Sequence, residues 1–203
     1  MDIRELAVPG AYALDLTPHG DSRGRFTEWY RADVLSEATG FGLTLAQANH
    51  SVSARGALRG VHFALVPPGQ AKYVYCPSGK ILDVVVDTRA GSPTFGAVDA
   101  VELDSENPRA VYLSEGLGHA FVSLADNSSV TYLVSSGYSP GREFGINPMD
   151  PDLGLPWPTD VEFELSAKDT SAPTLAEARE QGLLPTMAQC TARYDELRAQ
   201  YRR

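Results

Sequence analysis

The chain has 203 residues, 43% of them hydrophobic and 21% charged, with a net charge of -9. That suffices for one domain with a sizeable core, and the composition is that of a globular chain rather than a disordered one. The acidic balance excludes a general nucleic-acid binder, which needs basic clusters to displace counterions, but leaves room for a small anion in a local basic pocket.

The N-terminus, MDIRELAVPGAYALDL, carries early acids and no apolar signal core, and no later run reaches the length of a membrane span. The expectation is a soluble cytoplasmic protein without a membrane role. DSRGRFTEWY (21–30) sets Arg23, Arg25 and Glu28 around Phe26 and Trp29. It reads either as an edge strand with solvated charges or as an arginine-and-aromatic pocket for a nucleotide. Helical patterning follows at 31–38. Then come short apolar runs at 44–52, 58–64, 71–76, 80–87, 97–103, 110–113, 119–124 and 129–135. Turn signals such as PPG (67–69), PSGK (77–80) and SENP (105–108) separate several of them. Eight short strands punctuated by 18 glycines and 14 prolines indicate an all-β sandwich or barrel. DPDLGLPWPTD (150–160) reads as a Pro-rich loop that packs Trp157 on that body. Helical patterning returns at 174–181 and 187–201. Cys76, on an expected strand, and Cys190 lie far apart and outside any Cys-x-x-Cys, which points to two free thiols.

Alternation groups the polar residues. His119, Phe121 and Ser123 share one face of their strand; Val130, Tyr132 and Val134 share another; Ile81, Asp83, Val85 and Asp87 a third. If these faces line the interior, His62, Lys72, Asp83, His119 and Tyr132 meet there. A polar interior in a small β-body makes a ligand cavity rather than a packed plug.

His62 lies in GALRGVHFALVPPGQAKYVYC (56–76), between Arg59 and Lys72. A metal site would be expected to offer two histidines one residue apart and a nearby glutamate. FALVPP follows instead, and the chain has four histidines in all, with His19 expected in a loop. The other readings are a hydrogen-bonded structural histidine and a base. A base near neutral pKa takes a proton from carbon when an adjacent ketone can form an enolate and a cation steadies it. Lys72 is placed to be that cation, Tyr132 to return a proton, and Asp83 or Asp169 to orient the imidazole. Taken singly, each residue is better explained structurally; as a set on neighbouring strands, the active-site reading gains over that explanation.

The sequence also resembles a known family. The motifs are DSRGRFTEW, QANHSVSARGALRGVHF, PPGQAKYVYCPSG, DVVVDTRAGSPTFG, YLSEGLGHAF, DNSSVTYLVSSGY and DPDLGLPWP, in order from ELAVPGAY to GLLPT. They are similar to those of the dTDP-4-dehydrorhamnose 3,5-epimerases, cupin-like enzymes of deoxysugar nucleotide biosynthesis. The resemblance implies an all-β, cupin-like jelly-roll barrel with a few short peripheral helices, in a single domain over 1–203 with a helical stretch at 172–203. It implies a homodimer exchanging N-terminal strands, a dTDP-4-keto-6-deoxyhexose substrate, and neither metal nor organic cofactor. By position it makes His62 the base, Tyr132 the acid, Lys72 the enolate-stabilising cation and Asp169 the partner of His62. It places Arg23, Phe26, Glu28, Gln47, Asn49, Arg59, His119, Tyr138 and Glu143 on the substrate. Tyr138 would stack on thymine, and Arg23, Phe26 and Glu28 would reach into the partner's site.

Two stretches depart from the family's commonest pattern. GLGHAF has Gly118 and Ala120 where most members read Ala and Gly, and GINPMDP lacks a usual tryptophan. Both are similar to homologues from antibiotic-sugar pathways, some of which epimerise one carbon; others of that broad group are ketoisomerases. Epimerisation at C3, at C5 or at both stays open on the sequence.

Overall fold

A computed structural model describes residues 1–202. Its strands are β1 (Asp2–Glu5), β2 (Ala11–Asp15), β3 (Pro18–Asp21), β4 (Gly24–Thr27), β5 (Gln47–Ser53), β6 (Ala57–Ala64), β7 (Lys72–Ser78) and β8 (Lys80–Val86). They continue with β9 (Val98–Asp104), β10 (Arg109–Leu113), β11 (Gly118–Ser123), β12 (Ser128–Val134), β13 (Glu143–Gly145) and β14 (Glu164–Leu165). Four helices complete the chain: α1 (Ala32–Thr39), α2 (Ala167–Thr170), α3 (Leu175–Glu180) and α4 (Met187–Tyr201).

Two antiparallel sheets form the body. One runs β1-β2-β10-β7-β12-β5 and the other β13-β6-β11-β8-β9, with β14 lying parallel to the first residues of β6. β3 and β4 make a separate hairpin. Between the sheets lies an apolar core of alternate residues: Val74 and Cys76, Ile81 and Val85, Val111 and Leu113, Phe121 and Val130. The opposite residues of the same strands face outward under other cover. Val84, Val86 and Ala120 pack with Leu175 and Ala178 of α3, and Trp157 joins them, donating its indole N–H to Pro148 O at 2.8 Å. Tyr73 and Tyr112 pack with Leu35 of α1 and with Trp29. Both faces of the central strands are thus buried.

All eight expected strands and the three expected helices are present, with ends moved by a few residues. The expected barrel is more accurately a two-sheet jelly roll. Among the described residues no ladder joins the sheets edge to edge, and the interior closes by side-chain packing between them. Among the described residues, the stretch from 172 onward is helical in two pieces. α3 and α4 each begin with a capping box, Thr174 with Glu177 and Thr186 with Gln189, and the turn between them contains Gly182 and Pro185. His19, expected in a loop, lies on β3 opposite Phe26. Cys76 and Cys190 are both free and buried. Among the described residues no helix is long and apolar enough to cross a membrane.

Candidate active site

The polar faces singled out by alternation do point between the sheets. His119, Phe121 and Tyr132 of these faces line a cavity of about 510 Å3 together with His62, Lys72, Arg59 and Asp169, whereas Asp83, expected among them, is not one of its lining residues. β6 brings two of these together by breaking its own alternation. His62 pairs with His119, and Arg59 pairs with Phe121, so Gly60 and Val61 together oppose Ala120 alone. This extra residue is a β-bulge, and it puts side chains three apart on one face. Gly60 has φ +121°, and a Cβ there would lie 2.5 Å from the His119 carbonyl oxygen and 2.6 Å from Ala120 Cα. Only glycine fits so close to a neighbouring backbone.

His62 Nε2 lies 2.6 Å from Asp169 Oδ1. Asp169 arrives from the one-turn α2, where its backbone N–H donates to Ser166 Oγ. Burial raises the Asp169 pKa, but the hydrogen bond and charge of His62, with Ser166 and the Gly60 N–H, outweigh it and hold the carboxyl below its ordinary value. An ionised carboxylate only accepts, so the neutral imidazole carries its proton on Nε2 and keeps the Nδ1 lone pair free. A second pair lies beside the first: His119 Nε2 and Asp83 Oδ2 are 2.6 Å apart. The choice left open between Asp83 and Asp169 is thereby resolved, Asp169 serving His62 and Asp83 serving His119.

Lys72, the first residue of β7, is 9% exposed and has no carboxylate within ion-pair distance among the described residues. Burial lowers its pKa from 10.5 to about 8, with Glu143 and Asp83 acting in the opposite direction. The ammonium form still predominates at neutral pH. Tyr132 faces the cavity from β12. Its pKa is raised by burial, an effect trimmed by Arg59 and reinforced by Glu143, so the phenol keeps its proton.

The other expected residues divide into two groups. Arg59 lines the cavity, with its Nε–H donating to Ser53 Oγ at 3.2 Å. Glu143, on β13 opposite Ala64, accepts the Ser139 N–H and acts on Lys72 and Tyr132 through its charge. Asn49 pairs with Tyr132 across β5 and β12 and accepts from Gln47 at 2.6 Å, but Gln47, Asn49 and Glu143 are not among the residues that line the cavity. Tyr138 is 65% exposed in the loop after β12. Arg23, Phe26 and Glu28 are exposed on and beside the β3–β4 hairpin and do not line this cavity within one chain. Arg23 pairs instead with Asp21.

The sequence reading missed Ser51, Ser53, Ser166 and Lys168, which also line the cavity. Continuing the alternation of β5 past Gln47 and Asn49 reaches Ser51 and Ser53; Lys168 precedes the singled-out Asp169 and gave no signal of its own. Among the described residues no cluster of three or more His, Cys, Asp or Glu side chains could hold a metal ion.

Such a cavity can take a proton from carbon at Nδ1 of His62, place a cation at an adjacent oxygen and return a proton from a phenol. Residues 5–177 match the family model described as dTDP-4-dehydrorhamnose 3,5-epimerase. A dTDP-4-dehydro-6-deoxyglucose 3-epimerase of Streptomyces bikiniensis is 53% identical over 181 residues, covering 89% of this chain and 92% of its own. A dTDP-4-dehydrorhamnose 3,5-epimerase of Mycolicibacterium smegmatis is 52% identical over 198 residues, covering 98% of both chains. The crystal structure of a 3'-monoepimerase from Streptomyces bikiniensis in complex with dTDP-quinovose superposes with a TM-score of 0.93 at 50% identity, covering 96% of this chain and 98% of its own. This chain therefore belongs to the dTDP-4-dehydrorhamnose 3,5-epimerase family of isomerases.

Proposed function

We propose that the protein epimerises a dTDP-4-keto-6-deoxyhexose at C3, at C5 or at both. The observation that carries this reading is the His62–Asp169 pair opening onto the cavity that also holds Lys72 and Tyr132. His62 Nδ1 removes the proton from the carbon next to the 4-keto group. The C–H electrons form a C=C bond, and the carbonyl electrons move onto oxygen. Lys72, with His119, steadies that enolate. Tyr132 then gives its phenolic proton to the opposite face as the ketone reforms, which inverts the carbon. Proton exchange with solvent resets His62 and Tyr132.

Binding falls to Arg59 on the cavity wall and to residues outside that wall. Arg59 takes the diphosphate, Tyr138 stacks on thymine, and Gln47, Asn49 and Glu143 hold the sugar nucleotide. The working unit in this reading is a homodimer, in which the exposed β3–β4 hairpin carries Arg23, Phe26 and Glu28 to the partner's site. Two free thiols suit a reducing, cytoplasmic setting.

NMR of the substrate in deuterated water tests the reading. Deuterium at C3 and C5 with inversion at both identifies a double epimerase; label at one carbon identifies a monofunctional one. Both stay in play because relatives named for each activity are equally similar, at 53% and 52% identity. Migration of the keto group would instead reveal a ketoisomerase, and no exchange at any carbon a barrel that only binds nucleotide sugars. His62→Ala is expected to abolish exchange; wild-type exchange in that variant would remove His62 as the base. Tyr132→Phe is expected to retain some exchange and lose inversion, and unchanged epimerisation would remove Tyr132 as the acid.

A further inference from the structure

Glu115 and Arg193 lie away from the catalytic cavity, and the reaction above assigns neither a step. Glu115, in the turn between β10 and β11, is 2% exposed, and Tyr194 of α4 pins it there by donating its hydroxyl to the Glu115 carbonyl oxygen at 2.5 Å. Its Oε1 takes a long hydrogen bond from Ser135 Oγ, at 3.4 Å, while Oε2 is buried with no hydrogen-bond partner among the described residues. Arg193, one residue before Tyr194, donates from Nη1 to Glu196 at 3.2 Å; its Nε–H is buried and equally unpartnered. The Arg193 charge acts on the Glu115 carboxyl, yet among the described residues Arg193 makes its ion pair with Glu196 and not with Glu115. Buried hydrogen-bonding positions left open on charged groups are costly to keep.

Both residues line one enclosed chamber of about 110 Å3, with Phe41, Ala71, Tyr112 and Leu197 among its apolar walls. Since a water occupies about 30 Å3 of liquid, this is room for roughly three or four waters, or for one molecule of about five non-hydrogen atoms. A groove of about 460 Å3 shares residues 41–44, Leu197 and Gln200 with the chamber and continues past Ala32 of α1 and Tyr201 of α4, which gives a way in. No residue lining the chamber also lines the catalytic cavity. The two open positions decide what fits. A carboxylate oxygen calls for a donor, best a cationic one, and a guanidinium N–H for an acceptor, best an anionic one. A simple ion would satisfy one of them and be repelled by the other, whereas one small molecule with an end of each sign satisfies both.

We propose that this chamber is a binding site for a small zwitterion of amino-acid size, its ammonium end on Glu115 Oε2 and its carboxylate end on Arg193 Nε. The site goes beyond the epimerase reading and does not depend on it.

The probe is glycine, which has both ends and that size. In the full chain labelled with 15N-arginine, Arg193→Lys identifies the Arg193 Nε–H signal. Glycine is expected to shift that signal saturably. Acetate and methylammonium, with one end each, should bind at least about tenfold more weakly, as expected for the loss of a charge-assisted hydrogen bond. By calorimetry, Glu115→Gln and Arg193→Met should each weaken glycine binding by at least about tenfold, and His62→Ala, which alters the other cavity, should leave it unchanged. Should Glu115→Gln fail to fold, Arg193→Met serves, because that side chain is partly exposed on α4. The absence of a saturable shift overturns the proposal. Acetate binding as tightly as glycine overturns it too, by marking an anion site at Arg193 alone, and unchanged glycine binding in Arg193→Met does so by placing glycine elsewhere. A crystal grown with glycine that shows only ordered waters between Glu115 and Arg193 overturns it equally. A wild type that exchanges no substrate proton rejects the epimerase reading and leaves every one of these outcomes in force.

Discussion

At the residue scale, Lys72 sets function against stability. Its folded pKa, about 8, lies below its ordinary value of 10.5 because burial penalises the ammonium. The folded state therefore releases this proton before the unfolded state does. Below about pH 8 the fold bears the full cost of the buried charge, and that cost is relieved as pH rises from about 8 to 10.5. Lys72→Met is accordingly expected to raise stability at pH 7 by on the order of 1–3 kcal/mol, seen as a higher urea midpoint. The gain should shrink through that alkaline window, and the variant should lose epimerisation by about 10²- to 10³-fold. A variant less stable than wild type at pH 7 would contradict the account. Asp169→Asn acts on the tautomer. A carboxylate can only accept from His62 Nε2, whereas an amide can turn its NH2 toward that nitrogen and leave the proton on Nδ1, away from where a base needs its lone pair. The expected loss is about 10²- to 10⁴-fold in the deuterium exchange rate, and near-wild-type exchange would show that Asp169 does not orient the base.

At the element scale, seven of the eight expected strands were legible because each has an apolar face and a bounded length; β5 is mostly exposed and polar. Counting in twos therefore grouped His119, Tyr132 and Asp83 with their neighbours on one face each, while which face looks inward came only from the structure. β1, β3 and β4 are four residues each and mostly exposed, β13 and β14 shorter still, and α2 is a single turn. Segments of that size carry no periodicity to read. The partner of His62 was equally hidden from pattern, since Asp169 lies 107 residues away and only the path of β14 along β6 brings it close. The least legible feature is the β6 bulge. Strict alternation puts Arg59 and His62 on opposite faces; the extra residue puts both in the cavity. Gly60→Ala tests how much depends on it. A Cβ 2.5 Å from a backbone oxygen cannot be relieved by a side-chain rotation, so the strand must shift. The expectation is a loss of at least about 2 kcal/mol in stability, and greatly reduced exchange in whatever remains folded. A variant of wild-type stability and activity would mean that β6 tolerates another register.

At the scale of the whole molecule, one chain leaves its own hairpin unused. Arg23 and Glu28 are exposed, Phe26 is 64% exposed, and none of them lines the chain's own cavity, although sequence and resemblance both drew them toward a nucleotide. If the hairpin completes a partner's site, each site draws on two chains, and two different damaged subunits can repair each other. His62→Ala removes the base from a subunit's own cavity; Arg23→Ala removes what that subunit lends to its partner. Each variant alone is expected to be severely impaired. Co-expressed in equal amounts, they form mixed dimers for about half of the population under two-fold symmetry, and each mixed dimer holds one site with both residues intact. Activity should then recover to about a quarter of wild type, with the rate proportional to the mixed-dimer fraction isolated on two affinity tags. Were Arg23 to act within its own chain, the Arg23→Ala cavity would remain damaged in every combination, and the mixture would stay as inactive as its parts.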